Sequence, residues 1–184
     1  EIAKKFAQEG ADLMLCARNK DKLQSALLQL NNIKSHNQKI VTQTVDVSNE
    51  KDVVHLISET LEIFEGCDIL INNAGIYGPK GKIEKIDWTD WKNAIETNLY
   101  GSVLMSRTIL PHFKKNGYGK IIQLSGGGAT TPLPFLSAYA ASKAAVVRFS
   151  ETLAEEVRGS GICVNCVAPG ALNTKMLDEV IEAG

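Results

Sequence analysis

The stretch "KIIQLSGGGATTPLPFLSAYAASKAAV", Lys120–Val146, decides how the whole chain is read. A β-branched, apolar run ends in Ser125 and three glycines, Gly126, Gly127 and Gly128, and an alanine-rich helical pattern follows. A glycine-rich turn between a strand and a helix is a common phosphate cradle, because its backbone N–H groups can face an anion. Whether these glycines hold a nucleotide depends on their surroundings.

On both sides of this stretch, strands and helices alternate. Short apolar runs at 11–17, 39–47, 67–73, 119–125 and 162–170 read as strands. Between them lie helical patterns. Residues 1–10 place Ile2, Ala3, Phe6 and Ala7 on one face, with Gly10 as the stop. Residues 19–34 stripe Leu23, Leu27 and Leu30, and 49–66 opens behind Ser48 as N-cap. Residues 87–117 read as one long helix bent near Gly101 and Pro111, 135–161 as another, and 174–184 as the start of a last one. Continuous apolar strands alternating with helices argue a parallel sheet covered on both faces. Ligands in such sheets bind beyond the carboxyl ends of the strands. Those ends read Ala17-Arg18, Asp46-Val47, Asn72-Asn73-Ala74-Gly75, Ser125-Gly126 and Pro169-Gly170.

With 184 residues, 1–184 is expected to be a single domain. A net charge of −1 gives no field to steer nucleic acid, and no apolar run is long enough to span a membrane. Cys163 and Cys166 form a C-x-x-C inside a strand, where residues three apart face opposite sides. The four cysteines are therefore read as buried, reduced thiols and not as metal ligands, which points to a reducing, cytoplasmic compartment. His36, His55 and His112 show no ligand spacing.

The strand ends together resemble the short-chain dehydrogenase/reductase family. The resemblance rests on "DVS" at 46–48, "NNAG" at 72–75, "TNLYG" at 97–101, "YAASK" at 139–143 and "VNCVAPG" at 164–170, with Thr174 after it. Any one of these is a weak signal; five in order at the expected strand and helix positions are not. The resemblance implies an α/β fold of the Rossmann type, a doubly wound parallel sheet. It also implies that the family's first strand and its T-G-x-x-x-G-x-G loop, and a C-terminal strand, are not in this stretch. The chain is thus read as an internal fragment, incomplete at both ends. Gly126–Gly128 are then not the nucleotide loop. They follow the strand that carries the family's catalytic serine.

Tyr139 and Lys143 are four apart on a helix and share a face. Carbonyl reduction needs a hydride for carbon and a proton for oxygen, and a tyrosine can supply the proton if its hydroxyl ionises near working pH. Free tyrosine ionises near pH ~10, so this takes about 4 kcal/mol of preference for the phenolate. One ammonium at ~4 Å, with an effective dielectric of about 20, supplies about 4 kcal/mol. The resemblance also gives Lys143 a bond to the cofactor ribose and Asn98 a water in the proton relay. The serine is ambiguous. The family's serine stands thirteen residues before its tyrosine, which is Gly126 here, while Ser125 stands fourteen before. Either the loop is one residue longer and Ser125 serves, or the hydroxyl is missing; Ser137 is a remote third candidate.

For the cofactor, the resemblance assigns Asp46 and Val47 to adenine, and Asn73, Ala74 and Gly75 to the adenosine ribose. It assigns Pro169, Gly170, Leu172 and Thr174 to the nicotinamide. NAD enzymes place an acid at the end of the second strand for the ribose 2′-hydroxyl. This chain has Ala17 there, followed by Arg18, whose fork suits a 2′-phosphate. NADP(H) is therefore favoured over NAD(H). Pro132–Leu136, Tyr77, Pro79 and the loop after Gly170 would wall the substrate. These are mostly apolar, suiting an apolar or medium-sized alcohol or carbonyl compound. Ile95, Leu99, Val103 and Leu110, with Ala140, Ala144, Val147 and Leu153, lie on the helices that the family pairs into a homodimer or homotetramer. Two alternatives stand beside the oxidoreductase. One is a catalytically silent nucleotide-binding or scaffold protein on the same fold. The other is a sugar-nucleotide epimerase or dehydratase, which shares Tyr-x-x-x-Lys.

Overall fold

Alternating apolar strands and amphipathic helices leave one solution, parallel strands joined by helical crossovers, and the chain adopts it. The computed structural model describes residues 1–170. The expected helix at 174–184, Leu172 and Thr174 lie outside the described residues. The chain divides into two compact units, Glu1–Cys67 and Asp68 onward.

The first unit holds α1 (Ile2–Gln8), β1 (Leu13–Ala17), α2 (Lys20–Asn31), β2 (Ile40–Thr44) and α3 (Glu50–Phe64). β1 and β2 pair in parallel, with Leu13 opposite Ile40 and Ala17 opposite Thr44. Asn19 caps α2 by accepting from the Lys22 N–H. The cap of α3 is Asn49, accepting from Lys51 and Asp52 N–H, and not Ser48 as the sequence suggested. The Ser48 hydroxyl is committed instead to the Asp46 carboxylate at 2.7 Å. Val53, Leu56, Ile57 and Thr60 of α3 are buried, the i, i+3, i+4, i+7 stripe of a helix with one inward face.

The second unit holds β3 (Ile69–Asn72), α4 (Trp88–Ile95), α5 (Gly101–Asn116), β4 (Gly119–Leu124), α6 (Ser137–Glu156) and β5 (Ile162–Val167). The sheet runs β3-β4-β5, all parallel, with Asn72 opposite Gln123 and Gln123 opposite Cys166. The long helix expected over 87–117 is broken: a π-turn at Glu96–Tyr100 separates α4 from α5, while Pro111 sits inside α5 without ending it. Ile109, Phe113 and Ile121 are fully buried in the core of this unit. The inward stripe of α6 is Ala138, Tyr139, Ser142, Lys143, Val146, Ser150 and Leu153. The register that buries Val146 and Leu153 therefore also buries Tyr139 and Lys143. The four cysteines are free thiols but none is buried, and Cys163 is exposed. β5 pairs on one side only among the described residues.

Candidate active site

Asn98, Ser125, Tyr139 and Lys143 come together in the second unit and are only 1–9% exposed. Asn98 lies in the π-turn, where one extra residue per turn swings its amide away from the helix ladder. Its Oδ1 accepts from the Ile76 N–H at 2.8 Å. Its Nδ2 donates to the Ile76 carbonyl at 2.9 Å and to Ser142 Oγ at 2.8 Å. The loop after β3 is thus bolted to α6 through one side chain. Behind Asn98 runs a buried polar ladder that the sequence reading missed. Ser102 Oγ donates to the Asn98 carbonyl and Ser106 Oγ to the Ser102 carbonyl. Ser106 Oγ in turn accepts from Asn72 and Gln123 amides at 3.2 and 3.0 Å. The signal was present: 98, 102 and 106 are polar residues four apart on one helical face.

Lys143 donates its ammonium to the Leu124 carbonyl at 2.7 Å, and its Nζ stands 5.7 Å from the centre of the Tyr139 ring. Burial pushes the Lys143 ammonium below its ordinary range, partly opposed by Cys166. The Tyr139 hydroxyl is pushed up, first by burial and then by Tyr77. Burial of the ring penalises the phenolate.

Position 126, and not 125, faces the tyrosine. The Ser125 backbone continues the ladder, donating to the Val167 carbonyl, and its hydroxyl donates to the Lys143 carbonyl at 3.1 Å. Gly126 is fully extended, and a Cβ there would overlap the Tyr139 hydroxyl oxygen. Consecutive extended residues point to different sides, so only one of the two can face that oxygen. Ser137 is occupied elsewhere, accepting from the Trp91 indole N–H at 3.2 Å.

The loop after β3 carries Tyr77, whose ring packs on Tyr139 with centres 4.7 Å apart and planes tilted by 58°. Gly78, at φ +72°, is wedged so that a Cβ would press on those of Ala94 and Ala138. Further along, the Gly81 N–H donates to the Phe135 carbonyl, which fastens this loop to the 132–136 segment. Phe135 itself holds φ 68°, rare for an aromatic residue, and leaves its ring exposed.

Within the second unit, the residues after β3 leave room for part of a dinucleotide. A Cβ at Gly75 would stand 3.3 Å from Lys143 Nζ and 3.4 Å from Asn98 Oδ1, so a side chain there would crowd both groups. Asn73 and Ala74 before it are exposed, as are the backbone at Gly170 and, more partially, Val47 and Pro169. In the first unit, Arg18 is exposed at the end of β1 and forms no hydrogen bond or ion pair among the described residues. Asp46 sits past the end of β2. The Ser48 hydroxyl beside it holds its carboxyl below the usual range, with a smaller contribution from Arg18. Among the described residues no cluster of His, Cys, Asp or Glu could hold a metal, and no helix is long and apolar enough to cross a membrane.

The sequence pattern of the short-chain dehydrogenase family matches residues 1–183. The chain belongs to the short-chain dehydrogenase/reductase family of NAD(P)-dependent oxidoreductases. It is 30% identical to a (2S)-[(R)-hydroxy(phenyl)methyl]succinyl-CoA dehydrogenase subunit of Thauera aromatica, over 99% of this chain and 71% of that protein. It is 36% identical to the 11-beta-hydroxysteroid dehydrogenase-like 3 protein of Arabidopsis thaliana, over 95% of this chain and 55% of that protein. The fold superposes on an F189W actinorhodin polyketide ketoreductase with NADPH at a TM-score of 0.93 and 29% identity, covering 99% of this chain and 69% of that one. The chain thus spans between 55% and 71% of the length of these two curated relatives.

Proposed function

We propose that the protein containing this chain reduces or oxidises a small carbonyl/alcohol pair with NADP(H), with Tyr139 as the proton donor and acceptor. The observation that carries this reading is the buried Tyr139–Lys143 pair, held on the inward stripe of α6 and opened to the loop after β3 by Gly75 and Gly126. Bound NADP(H) supplies or takes the hydride. The rest falls to the chain's own residues. Tyr139 transfers the proton between its Oη and the substrate oxygen. Lys143 keeps positive charge beside the ring, 5.7 Å from its centre, and can turn from the Leu124 carbonyl to a ribose hydroxyl. Asn98 holds the loop that faces the reacting groups. Ser125 acts as a positioning residue, tying the end of β4 to α6 through the Lys143 carbonyl.

Asp46 and Val47 are assigned to adenine, Asn73, Ala74 and Gly75 to the adenosine ribose, and Pro169, Gly170, Leu172 and Thr174 to the nicotinamide. Preference for NADP(H) rests on Arg18, an exposed guanidinium with no acid in its place at the end of β1. On this reading 1–184 belongs to one nucleotide-binding domain, and the protein works as a cytoplasmic homodimer or homotetramer. The test is turnover of NADPH and NADH by the full-length protein against a panel of ketones and aldehydes. Faster oxidation of NADPH with at least one carbonyl is expected. No oxidation of either cofactor across the panel would overturn the reading in favour of a silent nucleotide-binding protein.

A further inference from the structure

Position 126 faces the Tyr139 hydroxyl without a side chain, and that hydroxyl forms no hydrogen bond among the described residues. A lone phenol can give a proton but holds the substrate oxygen in only one direction, and an oxygen gaining charge needs more than one donor. The residue that packs against Tyr139 from the opposite loop is Tyr77. We propose that Tyr77 supplies the second hydroxyl at the reacting oxygen, so that the substrate oxygen is held between Tyr77 and Tyr139.

Three features of the structure support this assignment, which rests on the reductase reading above. First, Tyr77 is pre-positioned on both sides. Ile76 before it is held through both backbone groups by Asn98, and Gly78 after it is wedged against Ala94 and Ala138. A loop residue fixed on both sides can present its side chain without an ordering cost at each turnover. Second, the two rings are in contact at 4.7 Å, and the Tyr77 hydroxyl forms no hydrogen bond among the described residues. Third, Lys80 Nζ lies 5.6 Å from the centre of the Tyr77 ring. A cation over the ring face is attracted to it and helps to hold the ring in place. In the reductive step the hydride forms the new C–H bond and the Tyr139 proton forms the new O–H bond as the C=O π pair moves to oxygen. Tyr77 donates a hydrogen bond and keeps its proton.

The test is Tyr77→Phe in the full-length protein, which keeps the ring packing and removes only the oxygen. Two readouts are taken. Steady-state kinetics should show kcat reduced by ~10²-fold, the cost of removing one donor to a developing oxyanion, with NADPH affinity unchanged. Ultraviolet titration of tyrosine ionisation in the cofactor-free protein, corrected with the matching Tyr139→Phe variants, should show Tyr139 ionising at lower pH, since Tyr77 helps to push it up. Activity within about threefold of wild type overturns the proposal. A Tyr139 titration that does not move overturns it too, because the two hydroxyls would then not share one site. The titration needs no turnover, so an inactive wild-type protein would sink the reductase reading while this measurement still judged the pairing of the two hydroxyls.

Discussion

The backbone of Gly126 and the phenol of Tyr139 share one space: a Cβ at position 126 would overlap the tyrosine oxygen. Gly126→Ala should therefore displace the phenol and leave the rest of the chain in place. Misplacing a reacting group by about 1 Å can cost ~10²-fold, so kcat should fall by that order while the melting temperature moves little. Kinetics and a thermal melt of the same preparation check both halves. An alanine variant with near-normal kcat would mean that the phenol works from another position.

Asn98 fills three hydrogen-bonding roles at 1% exposure, to the Ile76 N–H, the Ile76 carbonyl and Ser142. Asn98→Ala leaves these groups without a partner, each at about 1–3 kcal/mol if water does not reach it. Urea unfolding should show a loss exceeding about 2 kcal/mol. A smaller loss would mean that water enters in place of the amide.

Much of this architecture was legible in the sequence. The strand runs and the α6 stripe are set by apolar periodicity, and they bring Tyr139 and Lys143 to one buried face as their spacing of four requires. What was not legible depends on neighbours far away in the chain. Nothing at 96–100 marks a π-turn, because no proline or glycine precedes Gly101 in that segment; the turn is stabilised by what Asn98 reaches across to, the Ile76 backbone. The choice between Ser125 and Gly126 turned on which residue the extended chain points at Tyr139, and a run of three glycines carries no side-chain pattern to reveal it. Asn49, and not Ser48, caps α3 because Asp46 claims the Ser48 hydroxyl. The cysteines were expected inside on residue type alone, whereas exposure follows from which strand face has a neighbour.

Arg18 gives a test of cofactor choice. Arg18→Ala should weaken NADPH binding by ~1.5–3 kcal/mol, the scale of a charge-assisted hydrogen bond, and leave NADH little changed. Fluorescence titration with each cofactor separates the outcomes. Equal weakening of both would assign Arg18 to the adenosine site in general and remove the basis for NADP(H) preference.

Asp46 gives a test of acid stability. Its carboxyl is held below the usual range, first by the Ser48 hydroxyl bond at 2.7 Å. A carboxyl lowered on folding stabilises the protein fully above its unfolded value of about 4, and that contribution is lost as pH falls through the folded value. Ser48→Ala should thus cost about 1 kcal/mol at neutral pH, and the difference from wild type should shrink as the pH is brought well below 4. Denaturant unfolding at both pH values measures it. A difference that stays constant with pH would show that Ser48 acts without the Asp46 charge.

The role of Tyr139 is decided most directly by single-turnover hydride transfer in Tyr139→Phe. The substitution keeps the ring against Tyr77 and Lys143 and removes the transferable proton. Transfer from NADPH to the best carbonyl substrate is expected to fall by at least ~10²-fold, the low end for acid–base catalysis, with NADPH affinity nearly unchanged. Transfer within a few-fold of wild type would contradict the account, since the proton would then come from another group.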